Sequence, residues 1–364
     1  CTNGRTTGAT VGEPTLAHSG SSTWFVQPCH KAIGADPSAP ALGASATALP
    51  GETQGSDCGP DLLMRPAMLG VVRRSATAIR HQHVAVAATR AVSTKSLLAR
   101  GDEEHGVYYL TLNRPRQRNA LSIDLLDSLR LELEKLKADG CHQFRTVVVQ
   151  GEGPVFCSGH DLKEMMSEEN SNEARRRELF TLCSHVMQLV ETVPQPVIAA
   201  VHGIATAAGC QLVAAADMVC AAPTTRFATP GVSIGLFCST PAVSLVRAVG
   251  RKAAMDMLLT GRLVDATEAK ALGLVSRLAK DMGDADLDRE QVQSEARALA
   301  IEIAAHSGSA LAIGKRTFNK QVSLSLDQAY EVASDAMTRN METIDAQEGI
   351  DAFLSKRKPT WRHD

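Results

Sequence analysis

The sequence predicts an α/β protein that finishes in an α-helical region. Three observations carry this. Short β-branched or aliphatic runs recur, namely VYYLTL (107–112), RTVVVQG (145–151), VIAAV (197–201) and MVCAA (218–222). Segments with leucines at helical spacing separate them, and after residue 240 the pattern is almost wholly helical.

Taken in order, GVYYLTLNRP reads as a strand ended by Asn-Arg-Pro. Ser122 is a plausible N-cap for the helix IDLLDSLRLELEKLKADG, and Gly140 stops it. RTVVVQG is the next strand, followed by a Gly-rich loop. A helix over roughly 174–193 ends at Pro194, and VIAAV returns to the sheet. HGIATAAGCQLVAAAD passes from a loop into a small-residue helix, and MVCAA reads as a further buried strand.

Composition bounds what the protein does. The chain has 364 residues, 44% of them hydrophobic, with 38 Lys+Arg against 40 Asp+Glu and a net charge of −2. That balance speaks against a basic nucleic-acid binder. No apolar run approaches the roughly 20 residues of a membrane span. Nine cysteines without a CxxC pair read as reduced thiols, not as a zinc ribbon or a disulfide scaffold. His81, His83 and His142 show no metal-ligand spacing, so no metal is expected.

Four regions are expected. Residues 1–67 are rich in Gly, Ala, Ser, Thr and Pro and read as a disordered extension, or else as translation upstream of the true start. Residues 68–100 open on Met68, carry six Lys/Arg and no Asp or Glu, and read as a mitochondrial transit peptide. The core is expected over 101–250 and the helical region over 251–364.

Two loops hold the chemistry. In GEGPVFCSGHDLKEM (151–165) a strand leads through glycines to a helix starting near Asp161. In VHGIATAAGCQL (201–212) a strand leads to a helix opening on Ala207, Ala208 and Gly209. Tiny residues at a helix start let another group approach free N–H groups that carry partial positive charge. Two such loops facing one another would supply two donors to a developing negative oxygen. GxGxxG is absent, so neither is a dinucleotide fingerprint. Ser158-Gly159-His160-Asp161 is no triad, because adjacent residues cannot align as nucleophile, base and orienter.

LNRPRQRNALS (112–122), FCSGHDLKEM (156–165), HGIATAAGCQL (202–212), RFATPGVSIGL (226–236), GLVS (273–276) and EGIDAFLSKRKPTW (348–361) occur in that order. Together they resemble the enoyl-CoA hydratase/isomerase (crotonase) superfamily. The resemblance implies a spiral of ββα units with a C-terminal helical trimerisation region. It implies a homotrimer or homohexamer acting on fatty acyl chains, and the transit-peptide reading of 68–100 sets the expected place as the mitochondrial matrix. The ligand would be an acyl-CoA or enoyl-CoA thioester, with coenzyme A part of the substrate and no covalently bound cofactor.

The resemblance also implies roles. The thioester oxygen would sit between the backbone N–H groups of His160 and Ala208. Arg118, Ala120 and Leu121 would lie along the CoA. Ser158, Gly159, Asp161, Leu162, Lys163 and Pro230 would line the same site, and Lys356 and Arg357 could meet phosphates.

The sequence departs from the hydratases where their two glutamates stand. Here those positions are Gln211 and Gly231. An amide cannot accept a proton at neutral pH, and glycine has no side chain. A positioned acid or base contributes roughly 10²–10⁴-fold, so ordinary hydration is expected to be weak or absent. Gly231 also counts against the isomerase reaction, and Ser239 stands where dienoyl isomerases carry an aspartate. A decarboxylase tyrosine is replaced by Phe237 and Cys238. The His160 imidazole would project near the acyl group, but the favoured reading is that His160 acts only through its backbone N–H; Cys238, Ser239 and Thr240 form a polar patch, while Cys157 and Cys210 pack as small hydrophobes. Three functions stay open: a thioester-binding family member with weak or altered activity, a decarboxylase or thioesterase, and a non-catalytic acyl-CoA binder or partner.

Overall fold

The computed structural model describes residues 96–167 and 172–364. The segment 1–67, with nearly all of 68–100 including His81 and His83, lies outside the described residues. Among the described residues, a strand begins ahead of the expected boundary at 101. Strand β1 (Leu97–Asp102) runs antiparallel to β2 (Val107–Leu112), in register from Leu97↔Leu112 to Asp102↔Val107.

A short 3-10 turn, Pro115–Gln117, leads into α1 (Ile123–Asp139). Ser122 caps this helix by accepting the Leu125 N–H, and Gly140 ends it in the left-handed conformation. β3 (Thr146–Gly151) follows, then the one-turn α2 (Leu162–Met165) and α3 (Glu173–Thr192). β4 (Val197–Val201) and β5 (Ile204–Thr206) precede α4 (Ala208–Ala215), and β6 (Met218–Ala221) and β7 (Arg226–Ala228) come next. After a 3-10 turn at Pro230–Ile234, α5 (Ser239–Thr260) is broken at Gly250, whose φ of 75° and ψ of 167° are non-helical. β8 (Val264–Asp265), α6 (Ala266–Leu272) and β9 (Arg277–Leu278) lead to α7 (Ala285–Ala304), α8 (Gly308–Gln321), α9 (Leu326–Met341) and α10 (Ile344–Leu354).

The larger sheet has the order β1-β2-β3-β4-β6-β9, parallel except at β1. Parallel strands need cover on both faces, which is why β4 is unbroken Val, Ile and Ala and β3 centres on three consecutive valines. On one face Val107, Tyr109, Val148 and Ile198 meet Val292, Ala296 and Leu299 of α7. On the other, Leu110, Val147, Val149 and Val197 join leucines of α1 and the inner side of α3. A second sheet, β5-β7-β8, stands beside the first and carries the functional turn.

Lys315 of α8 fastens the C-terminal helices to this core. Its ammonium, 6% exposed, reaches Asp217 at 2.5 Å and the Val190 and Gln195 carbonyls at 2.9 and 3.0 Å. Burial pushes the lysine pKa down and the aspartate pKa up, while each partner opposes the other's shift.

Candidate functional site

The turn after β2 is built on Asn119. It is fully buried with φ 52°, a left-handed geometry that asparagine tolerates better than most residues. Its amide donates to the Glu152 and Val155 carbonyls at 2.9 and 2.8 Å, and its oxygen accepts the Arg114 N–H at 2.8 Å. Arg114 then ties the turn to the first loop through the Ala120 carbonyl (2.5 Å) and Asp161 (2.9 Å). Asp161 also caps α2 by accepting the Glu164 N–H. Its carboxyl sits below the usual range: burial raises the pKa, and the Arg114 and backbone hydrogen bonds outweigh that. Sequence reasoning missed Arg114 and Asn119, although both lie inside the quoted LNRPRQRNALS.

The first loop is held by main chain. Leu121 N–H donates to Gly159 O at 2.8 Å, Asp161 N–H donates to Leu121 O at 3.2 Å, and Ser158 N–H donates to Arg118 O at 3.1 Å. Leu121 and Ala120 are buried in this brace, whereas the Arg118 side chain is exposed.

The second loop lies against the first. Cys157 N–H donates to Ile204 O, Thr206 N–H donates to Cys157 O, and the Thr206 hydroxyl donates to Ser158 O. Gly159 has φ 94°, and a Cβ there would stand 2.9 Å from Ala207 Cβ and 3.0 Å from the Thr206 carbonyl oxygen. The Ala208 nitrogen would be 3.4 Å from that same Cβ. Only glycine permits this approach, and it brings residue 159 against the first turn of α4.

Ala207, the N-cap of α4, has φ 51° and ψ −120°, a strained geometry for a residue with a Cβ. Its N–H donates to Ala228 O at 2.9 Å and its carbonyl accepts the Gln211 N–H at 3.0 Å. The Ala208 N–H therefore precedes the first intrahelical bond. Among the described residues no acceptor takes the N–H of His160 or of Ala208.

Three side chains on or next to these segments carry buried polar atoms without a hydrogen bond. Both ring nitrogens of His160 are buried without a hydrogen bond, and the ring meets Phe180 edge-on with centroids 5.4 Å apart. Burial lowers its pKa to about 4 against an opposing weak contact with the Leu121 backbone, so the imidazole is neutral at physiological pH. Gln211 is 3% exposed with Oε1 unpartnered, and Thr229, missed from sequence, is fully buried with its hydroxyl unpartnered.

Gly231 is buried in the 3-10 turn that starts with Pro230. A Cβ there would fall 2.6 Å from the Leu236 carbonyl oxygen and 2.8 Å from Cys238 Sγ. The turn is thus closed over the place a side chain at 231 would take. Cys238 is buried there, whereas Ser239 is exposed.

The other nominated residues are distributed as follows. Leu162 and Lys163 are exposed on α2, and Ser158 and Pro230 are half-buried. Arg357 is held by Glu348 and Asp351 at 2.6 Å each, which occupies the guanidinium within its own surface network. Lys356 is exposed. Cys157 and Cys210 are fully buried, and desolvation pushes each thiol up to about 12. Among the described residues no group of three or more His, Cys, Asp or Glu could hold a metal ion. None of the described helices is long and apolar enough to cross a membrane.

Comparison with known proteins agrees with this architecture. Residues 102–364 match the enoyl-CoA hydratase/isomerase family. The Rattus norvegicus protein named enoyl-CoA hydratase domain-containing protein 3, mitochondrial, is 45% identical over 261 residues, which is 72% of this chain and 83% of the rat protein. The crystal structure of human enoyl-CoA hydratase domain-containing protein 3 superposes with a TM-score of 0.67 at 42% identity, covering 73% of this chain and 100% of that one. An enoyl-CoA hydratase from Mycobacterium smegmatis gives 0.68 at 45% identity, covering 73% and 98%. The fold is accordingly crotonase-like, mixed α/β with a C-terminal helical region. The chain belongs to the enoyl-CoA hydratase/isomerase family.

Proposed function

We propose that the protein binds acyl-CoA and enoyl-CoA thioesters in mitochondrial fatty acid metabolism, through an oxyanion hole formed by the N–H groups of His160 and Ala208. The observation that carries this reading is the pair of braced loops, each with an unused main-chain donor at the point where Gly159 meets the start of α4. Such donors polarise a thioester carbonyl and stabilise the enolate or tetrahedral oxygen that forms when charge moves onto it. Each is worth on the order of 3 kcal/mol in a transition state. Because they are main-chain groups, the hole tolerates histidine and alanine side chains alike.

Ordinary hydration is weak or absent in this reading. Gln211 can orient a water but cannot take its proton, and the turn at Gly231 leaves no room for an acid. The mitochondrial assignment rests on the acid-free, Arg-rich segment 68–100 and on the names of the rat and human relatives. A homotrimer or homohexamer is proposed from the C-terminal helices. Phe318, Leu326, Tyr330 and Phe353 are 65–82% exposed there, an apolar face that further copies of the chain would cover.

Turnover by different chemistry, such as thioester hydrolysis, is a second reading. One observation favours it: the neutral, unpartnered imidazole of His160.

The test uses the full chain. Thermal stabilisation is measured with CoA, acyl-CoA and enoyl-CoA, and each thioester is then followed by mass spectrometry. Stabilisation with little hydration is the expected result. Hydrolysis abolished by His160→Gln would establish the second reading, and failure of every CoA species to stabilise the protein would remove both.

A further inference from the structure

We infer that the segment after α10 is an acid-released strap: His363 holds it to the start of α8 only while the imidazole is neutral, and protonation frees it from the joint between α7 and α8. The device is the same whatever ligand the site takes.

The segment doubles back along α10. Near its beginning Arg357 pairs with Glu348 and Asp351 at 2.6 Å each. The Thr360 N–H then donates to Glu348 at 2.8 Å, and the Trp361 ring lies on Gly349, where a Cβ would stand 3.0 Å from it. Further on, the N–H groups of Arg362 and His363 donate to the two carboxylate oxygens of Asp345 at 2.7 and 3.0 Å. Asp345 is 1% exposed. Residues 357–363 thus meet α10 from Asp351 back to Asp345.

Two residues of the strap reach past α10. The Trp361 indole N–H donates at 2.9 Å to the carbonyl of Ala305, the C-cap of α7. His363 Nδ1 accepts the N–H of Gly308, the first residue of α8, at 3.1 Å. That N–H is one of the helix-start donors that have no intrahelical partner. The hold matters because α8, α9 and α10 are thinly anchored: the buried residues they contribute are Gly308, Ala336, Asp345 and Ala352.

The direction of one bond makes the strap sensitive to acid. A backbone N–H can only donate, so His363 Nδ1 has to carry a lone pair. Protonation removes that acceptor and sets a cation against the positive end of α8. Charges on the neighbouring elements act both ways. Arg145, ahead of β3 and bonded to the Ala304 carbonyl at 2.6 Å, disfavours the imidazolium, as does His142 after α1. Asp345 of α10 and Asp364 favour it. Burial first, then Arg145, leave the His363 pKa below its ordinary 6.5. The hold is therefore complete above pH 6.5 and is lost as pH falls through the lower value of the closed strap. Glu348 does not share this window, because Arg357 holds its carboxyl down to about 2.

Trp24→Phe in the full chain leaves Trp361 as the sole tryptophan. Its emission, and the quenching of that emission by acrylamide, report the strap, and far-UV circular dichroism of the same samples reports the fold. From about pH 8 to about pH 5 the emission should shift to the red and quenching should rise, reversibly, while the dichroism holds. His160 stays out of this window, since its pKa lies near 4. In the same background His363→Gln should show no transition, because glutamine does not titrate. His363→Ala should give the open emission already at about pH 8.

Emission that stays unchanged over that range would overturn the proposal. So would a transition that survives His363→Gln, or a strap that remains closed in His363→Ala. A red shift that coincides with loss of the helical signal would overturn it too, because the whole chain would then be unfolding.

Discussion

Putting a glutamate at position 231 is the obvious way to restore a hydratase, and the structure predicts that it will fail. A Cβ at 231 would lie 2.6 Å from the Leu236 carbonyl oxygen and 2.8 Å from Cys238 Sγ. The sulfur can swing aside, but the carbonyl belongs to the turn in which Leu236 N–H donates to Gly231 O at 2.9 Å. Overpacking of this kind costs about 1–3 kcal/mol. A carboxyl buried there also has to remain protonated at pH 7, at a cost of up to roughly 4 kcal/mol from its ordinary pKa. The loss approaches the lower end of a domain's 5–15 kcal/mol. At about 2–4 °C per kcal/mol, melting should fall by roughly 10 °C or more. The assay is a thermal melt of G231E and of Q211E/G231E, with decay of enoyl-thioester absorbance as the activity readout. Adding C238A should recover only part of the stability, because the Leu236 carbonyl stays in place. A G231E protein that melts like wild type, or a double variant that hydrates crotonyl-CoA at a hydratase rate, would refute the reasoning.

Other perturbations test the frame around the site. Gly159→Ala adds a Cβ at φ 94° and 2.9 Å from Ala207 Cβ, so stability should fall by about 1–3 kcal/mol and thioester-induced stabilisation should largely disappear. Asn119→Ala removes hydrogen bonds to Arg114, Glu152 and Val155; urea melts should show a loss of about 2–4 kcal/mol. A chain shortened to begin at residue 101 would lose four of the six residues of β1 and expose the edge of β2, and should aggregate or melt early in light scattering. For pH, the folded pKa of His160 lies near 4, below its unfolded 6.5. The unfolded chain therefore binds the extra proton, and stability is full above pH 6.5 and falls as pH drops toward 4. The fall from this residue is about 3 kcal/mol. His160→Gln should flatten the melting-temperature curve across that window.

The elements readable in the sequence were those whose own residues decide them. α1 runs from its Ser122 cap to its Gly140 stop, as the leucine spacing and end residues require. β3, β4 and β6 are aliphatic runs whose burial on both faces leaves few alternatives. β5, β7, β8 and β9 are two or three residues long and exist only because a partner strand is present, so no local pattern announces them. β1 was hidden for a different reason: LLARGD continues the basic segment before it and is mostly exposed, so it carries no core pattern of its own. At the site, the glycines and alanines marked a close approach, but Thr229 could not be singled out. Its interest lies in an unpartnered hydroxyl, which depends on what surrounds it in space.

Under the proposed function, this difference accounts for a binding frame that persists while the acid–base pair is absent. The two proposed donors belong to the main chain, and the loops that carry them are held by Leu121–Gly159, Thr206–Cys157 and Ala207–Ala228 hydrogen bonds, none of which involves a side chain. Substitution at 160 or 208 leaves them intact provided Gly159 and the strained Ala207 are kept. The acid and base are side-chain functions, so a single replacement removes each. With glycine at 231 the turn is closed over the space a side chain would take and Cys238 packs beside it, so one substitution does not readily place a carboxylate there. Selection on such a site would act on what the remaining polar groups hold, so its chemistry has to be sought in the acyl group it accepts.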